Sequence, residues 1–289
     1  MIPITGHTHL TALLGSPVAH SISPLMHNEA FRLLDLDYTY LCFDVTEDTL
    51  PTAVAGLKAC GIRGFNLTMP NKNKIVELLD ELSPAARLIG AVNTVVNDNG
   101  RLTGYNTDGV GYMQAVRDAG YDVIGKTITI MGAGGAATAI CAQAALDGVK
   151  KIHIFARETS RFWNRTQKLV ENINATLPCQ AILHENKDKE ELAQAISESA
   201  LLLNATSVGM APDTEGSIIE DTSLYHPDLI VSDVIYNPRE TRFLREAREA
   251  GCRTFNGMYM LLYQGAEAFR LWTGKEMPVD EIKAKYFSE

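Results

Sequence analysis

Residues 127–137 restrict the fold of this chain more than any other segment. Their sequence is TITIMGAGGAA. An apolar run ends at Met131, glycines stand at 132 and 134, and an alanine-rich segment follows, which predicts a strand, a tight turn and the start of a helix. In the G-x-G-x-x-G/A pattern, Gly132 makes the turn and Gly134 leaves the backbone open to a pyrophosphate. The small Ala137 at the third position lets the helix pack closely on the strand.

The same turn predicts a bound ligand. Backbone N–H groups at the start of a helix attract anions, which suits a dinucleotide phosphate. The candidate cradle consists of Gly132, Ala133, Gly134, Gly135 and Ala136. Glycine-rich turns between a strand and a helix also occur without a ligand, but here both the strand and the helix are present in the pattern. We therefore expect a dinucleotide-binding domain.

Size and charge narrow the class of protein. A chain of 289 residues exceeds the usual range of one domain, so we expect two. The net charge of −9 and the sequence pI near 5.3 disfavour a nucleic-acid partner. The first residues do not have the basic and apolar regions of a signal peptide, and no apolar run reaches the ~18 residues that span a bilayer. We expect no membrane association.

Cysteine and histidine usage agrees with an intracellular protein. The five cysteines are odd in number and form no C-x-x-C pair, which predicts reduced, mostly buried thiols and a cytoplasmic location. The seven histidines show no ligand spacing such as H-x-x-x-H, so we predict no metal site.

Apolar periodicity and turn residues predict strands and helices in alternation along the chain, without repeats or low-complexity segments. The predicted strands are 10–14, 38–45, 64–68, 92–97, 102–105, 127–131, 151–155, 181–183, 201–204, 230–233 and 253–255. The predicted helices are 24–34, 50–60, 73–80, 109–119, 136–146, 165–174, 190–198, 239–250, 258–272 and 279–286. The alternation predicts an α/β fold, with a domain boundary near 106–110.

Two serines precede the first predicted helix. Ser23 has the residue type and the place of an N-cap, with Pro24 at the first helical position. That interpretation does not explain Ser21, whose hydroxyl would point near the same helix start. Two hydroxyls beside a helix N-terminus also suit a carboxylate, so both interpretations stay open.

Further polar residues follow predicted strands, where α/β proteins bind ligands. Lys72 lies in a loop, where a lysine is usually only solvated, but the segment 66–72 around it is rich in hydrogen-bonding residues. Asn93 and Asp108 stand at the ends of two other predicted strands, although Asp108 also suits the N-cap of the next helix. The concentration of these groups makes Lys72 a candidate site residue.

Eight motifs in one order resemble the shikimate/quinate dehydrogenase family, and the resemblance covers the full length of the chain. The motifs are 21–24 (SISP), 66–72 (NLTMPNK), 90–94 (GAVNT), 105–109 (YNTDG), 132–136 (GAGGA), 204–210 (NATSVGM), 233–238 (DVIYNP), and Gly257 with 263–266 (YQGA). Each motif alone is modest, but their common order is specific.

The resemblance implies a two-domain α/β enzyme. An N-terminal α/β substrate domain is joined to a Rossmann-type dinucleotide-binding domain, and the C-terminal helices return to the first domain. We place the substrate-binding catalytic domain at 1–107 together with 258–289, and the dinucleotide-binding domain at 108–257. The family reduces 3-dehydroshikimate reversibly to shikimate by hydride transfer at C3, a step of chorismate and aromatic amino-acid biosynthesis.

The resemblance also implies roles for particular residues. Lys72 is the general acid/base and Asp108 is its partner. Because the hydroxyl proton leaves as hydride leaves C3, such a group must lie within ~3 Å of that oxygen. The implied substrate-binding residues are Ser21, Ser23 and Tyr236 for the carboxylate, and Thr68, Asn93 and Gln264 for the ring hydroxyls. The implied cofactor-binding residues are Gly132, Ala133, Gly134, Gly135, Ala136, Arg157, Glu158, Thr206, Val234 and Gly257.

The choice of cofactor and of substrate stays open at this point. Arg157 and Arg161 favour the 2′-phosphate of NADP, whereas the Glu158 carboxylate favours the ribose diol of NAD; we expect NAD or NADP, with the balance towards NAD. The loop and the long tail resemble the dual-specificity branch of the family, so quinate is an alternative substrate. A glutamyl-tRNA reductase-like enzyme and a non-catalytic nucleotide-sensing module are the alternatives from other classes. The sequence does not distinguish a monomer from a homodimer.

Overall fold

The computed structural model of the chain describes residues 3–287. The chain forms two compact units, one made of Met1–Gly111 and Leu262–Glu289 and the other of Tyr112–Leu261. The C-terminal helices therefore belong with the N-terminal part of the chain, as expected. The assignment of the predicted domains, 1–107 with 258–289 and 108–257, to substrate and cofactor stays a prediction.

The first unit contains a mixed six-stranded sheet in the order β2-β1-β3-β5-β6-β4. Its strands are β1 (His9–Gly15), β2 (Tyr38–Asp44), β3 (Gly64–Leu67), β4 (Glu81–Leu82), β5 (Thr94–Asp98) and β6 (Arg101–Tyr105). The first three strands are parallel to one another, whereas β5 runs antiparallel to β3 and β6. A tight turn joins β5 to β6 at Asn99 and Gly100, both of which have positive φ.

The second unit contains a parallel six-stranded sheet in the order β12-β11-β10-β7-β8-β9. Its strands are β7 (Thr127–Met131), β8 (Lys151–Ala156), β9 (Gln180–Glu185), β10 (Leu201–Asn204), β11 (Ile230–Asp233) and β12 (Arg253–Phe255). This is the doubly wound Rossmann order, which reverses between β7 and β10. Ligands of such sheets bind beyond the carboxyl ends of the strands at that reversal.

Ten α-helices accompany the sheets in residues 3–287. They are α1 (Ser23–Leu33), α2 (Leu50–Ala59), α3 (Pro84–Ile89), α4 (Asp108–Asp118), α5 (Gly135–Asp147), α6 (Trp163–Thr176), α7 (Lys189–Ser197), α8 (Arg242–Glu249), α9 (Met258–Thr273) and α10 (Val279–Tyr286). Two 3₁₀ helices cover Lys74–Leu78 and Thr222–Leu224. None of the helices in the described part of the chain is long and apolar enough to cross a membrane.

Helices cover both faces of the first sheet. On one face, Leu14 and Phe65 pack with Leu50 and Val54 of α2 in a buried cluster. On the other face, Trp272 of α9 donates a hydrogen bond from its ring N–H to the carbonyl of Val95 at 3.0 Å. Gly64 lies under this ring, because an added Cβ would come within 2.3 Å of Trp272 Nε1.

Small residues let α5 lie close to the second sheet. The helix is alanine-rich, and Ala137, Ala139 and Ala142 are all buried. The burial of Ala137 matches the packing role expected for the third position of the glycine pattern. A second cluster, with Phe155 and Phe243 among its members, fills the space between the sheet and the helices α7 and α8.

Most predicted elements are confirmed, but several helix starts were wrong. The segment 73–80 contains only a short 3₁₀ helix. Helix α6 begins at Trp163 rather than at residue 165. Helix α8 begins at Arg242 rather than at 239, because the Thr241 hydroxyl accepts the N–H of Leu244 and caps the helix there. The sequence did not predict β4, α3 or the 3₁₀ helix at 222–224.

All five cysteines are free. Cys141, Cys179 and Cys252 are buried, Cys42 is half-buried and Cys60 is exposed. Burial raises the pKa of the Cys179 thiol to about 11, as expected of an inert structural cysteine.

Candidate active site

An ion pair joins the two predicted catalytic residues in the first unit. Lys72 lies in the loop after β3, and Asp108 begins α4. Lys72 Nζ donates to Asp108 Oδ2 at 2.6 Å. The two side chains are 32% and 15% exposed, so solvent and a small ligand can reach both. An ammonium donor beside a carboxylate acceptor suits the hydroxyls or the ketone of a polyol ring.

Asn93 holds the carboxylate of this pair. Its Nδ2 donates to Asp108 Oδ1 at 2.8 Å and to Thr107 Oγ1 at 3.0 Å. Its Oδ1 accepts the backbone N–H of Thr107 at 2.8 Å. Because a backbone N–H can only donate, this contact fixes which end of the Asn93 carboxamide faces Asp108. Each Asp108 oxygen therefore has its own donor, and the carboxylate has one orientation.

Backbone contacts fix the loop that carries Thr68 and Lys72. The Thr68 N–H donates to the carbonyl of Leu14 at 3.1 Å, and the Val92 N–H donates to the carbonyl of Lys72 at 2.8 Å. Gly15 approaches the loop closely, since an added Cβ would lie 2.2 Å from Thr68 Cγ2. These contacts fix the backbone position of Lys72, from which its flexible side chain extends.

The N-cap interpretation of Ser23 was wrong. Helix α1 begins at Ser23 itself, with Ile22 as the N-cap residue and no side-chain cap. The Ser21 hydroxyl accepts the Ser23 N–H at 3.2 Å, and the Ser23 side chain is largely buried. The hydroxyl that accepts a backbone N–H at this helix start is therefore that of Ser21.

The other two predicted substrate residues lie in different units. Gln264 is half-buried on α9 in the first unit, next to Gly265. Helices α9 and α1 touch at that glycine, because an added Cβ would lie 2.1 Å from Met26 Cε. Tyr236 belongs to the second unit and is 47% exposed after the end of β11.

A cavity of about 450 Å³ opens at the glycine turn of the second unit. Five predicted cofactor residues line it: Gly132, Ala133, Gly134, Arg157 and Thr206. Gly132 has a φ of +117°, and an added Cβ would lie 2.9 Å from both Ala205 O and Thr206 Cγ2, so only glycine fits. Gly134 precedes α5 and has open space where a Cβ would stand, as the close approach of a pyrophosphate requires.

The remaining predicted cofactor residues are not among those that line the cavity. Gly135 and Ala136 form the first turn of α5. Glu158 is exposed in the loop after β8. Val234 and Gly257 are in tight contact with each other, since a Cβ on the glycine would lie 2.0 Å from Val234 O.

A buried carboxylate ties the ends of β10 and β11 together. Asp233 is fully buried and accepts hydrogen bonds from Thr241 Oγ1 at 2.8 Å, Asn204 Nδ2 at 3.1 Å and the Ile235 N–H at 2.9 Å. Asn204 in turn accepts the Thr206 hydroxyl at 2.7 Å. Desolvation by burial raises the pKa of Asp233 to about 6. Through these bonds Asp233 positions the loop that carries Thr206.

The family models that match this chain and the relatives that resemble it have the same description. Residues 13–95 match the shikimate dehydrogenase substrate binding domain, and residues 257–285 match the shikimate 5′-dehydrogenase C-terminal domain. A shikimate dehydrogenase (NADP(+)) of Listeria monocytogenes is 55% identical over 98% of this chain and 97% of its own length. The chain belongs to the shikimate dehydrogenase family.

Two further comparisons bear on cofactor and substrate within the family. The crystal structure of Listeria monocytogenes shikimate 5-dehydrogenase in complex with shikimate and NAD matches with a TM-score of 0.95 at 55% identity, over 97% of both chains. A quinate/shikimate dehydrogenase of Escherichia coli is 44% identical over 97% of each chain. These relatives confirm the family resemblance drawn from the motifs, and the fold class with it.

Sequence reasoning missed four members of the polar site in the first unit. Asn66, Thr94 and Thr107 are buried within hydrogen-bonding distance of Asn93, and Tyr40 hydrogen-bonds to Asn66. The available signal was Asn66 in the otherwise apolar, fully buried β3 and Thr94 at the buried start of β5. A polar residue in a buried strand needs a partner, so each such position points to a hydrogen-bonded group.

Proposed function

We propose that this protein catalyses the reversible NAD(P)-dependent reduction of 3-dehydroshikimate to shikimate. The observation that carries the proposal is the Lys72–Asp108 pair, 2.6 Å apart and open to solvent, in a chain of the shikimate dehydrogenase family. The full-length match to a shikimate dehydrogenase at 55% identity supports the same conclusion.

Lys72 is the proposed acid in reduction and the proposed base in oxidation. As the C3 ketone accepts hydride, its oxygen becomes an alkoxide, and the Lys72 ammonium donates the proton that neutralises it. In the reverse direction Lys72 removes the hydroxyl proton. The Asp108 carboxylate accepts a hydrogen bond from a neighbouring ring hydroxyl and keeps the ammonium in place. The bound nicotinamide supplies or accepts the hydride.

The other substrate residues are proposed from their chemistry. Ser21, Ser23 and Tyr236 offer hydroxyl donors, which suit the ring carboxylate. The place of the two serines at the N-terminal end of the eleven-residue helix α1 supports this role, since that end favours an anion. Thr68, Asn93 and Gln264 are the proposed partners of the ring hydroxyls. The carboxamide orientation of Asn93 supports its part, because its donor end faces Asp108.

We propose that the second unit binds the cofactor at the glycine turn. The open space beside Gly134 and the cavity of about 450 Å³ support this. Gly132, Ala133, Gly135 and Ala136 complete the proposed phosphate cradle, and Thr206, Val234 and Gly257 follow along the proposed binding surface. The substrate domain is then 1–107 with 258–289, a proposal supported by the substrate-binding family model at 13–95.

The choice between NAD and NADP depends on two side chains. Arg157 lines the cavity and favours the 2′-phosphate of NADP, whereas Glu158 favours the ribose diol of NAD and is exposed outside the cavity wall. We expect the balance to lie slightly towards NAD. Glu158→Gln tests this directly: kcat/KM with NADP rises if the carboxylate repels the 2′-phosphate, and stays unchanged if the side chain points away.

The proposed activity is tested by the absorbance of the reduced nicotinamide, measured with each cofactor and with shikimate, quinate or no added substrate. We expect turnover of shikimate. Turnover of quinate at a higher kcat/KM would instead favour a quinate dehydrogenase, and turnover of both acids would resemble the quinate/shikimate dehydrogenase of Escherichia coli. Binding of the dinucleotide without turnover of either acid would contradict the enzyme and favour a nucleotide-sensing module.

A further inference from the structure

We propose that Tyr40 is a positioning residue for the reaction: its buried hydroxyl holds Asn66 and, through it, the Asn93 side chain that orients Asp108 towards Lys72. The proposal rests on the proposed function, because it concerns the same polar site. Tyr40 stands on β2, two strands away from β3 in the order of the sheet, and its hydroxyl donates to Asn66 rather than to Lys72 or Asp108.

The first step of the hydrogen-bond network is a buried bond between β2 and β3. The Tyr40 hydroxyl donates to Asn66 Oδ1 at 2.8 Å. Tyr40 is 0% exposed and Asn66 is 6% exposed, so water does not compete for either group.

The second step fixes the orientation of Asn66. Its Nδ2 faces the backbone carbonyl of Asn93 at 3.1 Å. Because a carbonyl can only accept, the amide cannot be reversed, and its oxygen must face a donor. The Tyr40 hydroxyl is that donor. Asn66 Nδ2 also lies 3.0 Å from Thr94 Oγ1, the residue paired with it across β3 and β5.

The third step extends the network from Asn66 to the Asp108 carboxylate, and each group donates a hydrogen bond to the next. Thr94 Oγ1 accepts from Asn66, which leaves its own proton for Asn93 Oδ1 at 3.0 Å. Asn93 then donates from its other end to Asp108 Oδ1 at 2.8 Å. Along this path each group donates to the next, and Thr107 Oγ1 lies beside it, 3.3 Å from Thr94 Oγ1 and 3.2 Å from Asn93 Oδ1. The path thus restrains the Asn93 side chain and, through it, the carboxylate.

The tyrosine ring and the tyrosine hydroxyl have separable roles. The ring stacks on His27 with centroids 4.5 Å apart, and lies 6.0 Å from the ring of Trp272. Phenylalanine at position 40 keeps both ring contacts. It removes only the donor to Asn66 Oδ1, which leaves a buried acceptor without a partner. Asn66 then moves or admits water, and the restraint on Asn93 weakens.

Tyr40→Phe tests the proposal, with Tyr38→Phe as the matched control. Tyr38 is on the same strand, and its hydroxyl donates to the carbonyl of Trp272 at 3.5 Å, outside the network. We expect Tyr40→Phe to lower kcat/KM for shikimate by roughly 10-fold, the size of one lost hydrogen bond, with the KM for the dinucleotide unchanged. We expect the ¹⁵N-NMR signals of the Asn66 and Asn93 side-chain amides to shift.

Thr94→Val is the second variant, because it removes the hydroxyl that links Asn66 to the Asn93 side chain and leaves the Tyr40–Asn66 bond in place. We expect the same selective loss of kcat/KM for shikimate and a shift of the Asn93 amide signal. A Tyr40→Phe protein with a lower melting temperature but with shikimate kinetics and Asn93 signals like those of Tyr38→Phe would overturn the proposal. If the wild-type protein turns over neither shikimate nor quinate, the proposed function fails, and the amide signals still decide the positioning role.

Discussion

The buried carboxylate of Asp233 makes the stability of the second unit depend on pH in a predictable direction. Desolvation raises its pKa from an ordinary 3.8 to about 6, against three hydrogen bonds that favour the charged form. This difference corresponds to about 3 kcal/mol. Because the folded state binds the proton more tightly than the unfolded state, the contribution is present in full below pH 4 and is lost as the pH rises through 6.

The substitution Asp233→Asn removes this titration. Between pH 4 and pH 7, linkage predicts that the wild-type protein loses about 2 kcal/mol of unfolding free energy relative to the variant. For a unit of this size, that change moves the difference in melting temperature by roughly 4–8 °C. The assay is thermal unfolding of both proteins at half-unit steps of pH, followed by circular dichroism.

The control is Asp221→Asn. Asp221 is an exposed residue in the same unit, and its carboxylate accepts hydrogen bonds from Ser223 that lower its pKa. The sign of its pH effect is therefore opposite: its contribution is lost as the pH falls. If the melting-temperature difference between wild type and Asp233→Asn does not change with pH, the assignment of a desolvated, raised-pKa carboxyl is refuted.

Glycine substitutions give three further predictions. We expect Gly132→Ala to lower the melting temperature and to abolish dinucleotide binding measured by calorimetry. Gly134 has a negative φ and open space around it, so we expect Gly134→Ala to weaken binding at an unchanged melting temperature. Equal losses of stability in the two variants would contradict this. Gly265→Ala raises the KM for shikimate, because either the buried Met26 side chain or α9 must move to admit the methyl group. An unchanged KM would show that Gln264 does not contact the substrate. Gly56 is exposed in α2, and an added Cβ would meet nothing within 4 Å. We therefore expect Gly56→Ala to raise the free energy of unfolding by about 0.5–1 kcal/mol in denaturant titrations, and a decrease would contradict this.

The fold was largely predictable because its signals are local. The strand, turn and helix at 127–147 follow from apolar residues, glycine and alanine in sequence order. Helix starts were less predictable where the cap is set by spatial neighbours. Thr241 caps α8 while its hydroxyl also donates to Asp233 on β11, so the start of this helix depends on a strand eight residues earlier.

The polar site was only partly predictable because its members are distant in sequence. Motif resemblance indicated Lys72, Asp108 and Asn93. The contacts of Tyr40 with Asn66, and of Asn66 with Thr94, join residues 26 and 28 positions apart. From the sequence, Tyr40 resembles an ordinary aromatic residue of the core, because only the order of the strands brings Asn66 Oδ1 to its hydroxyl.

The measurement that tests the central claim most directly compares Lys72→Ala with Lys74→Ala in the shikimate assay. Lys74 is two residues away and pairs with Glu77 on the surface, so its loss should leave kcat nearly unchanged. For Lys72→Ala we expect kcat to fall by around 10²-fold or more with an unchanged melting temperature, the usual size of a general acid/base effect. Near-normal turnover in Lys72→Ala would contradict the account and reduce Lys72 to a binding residue.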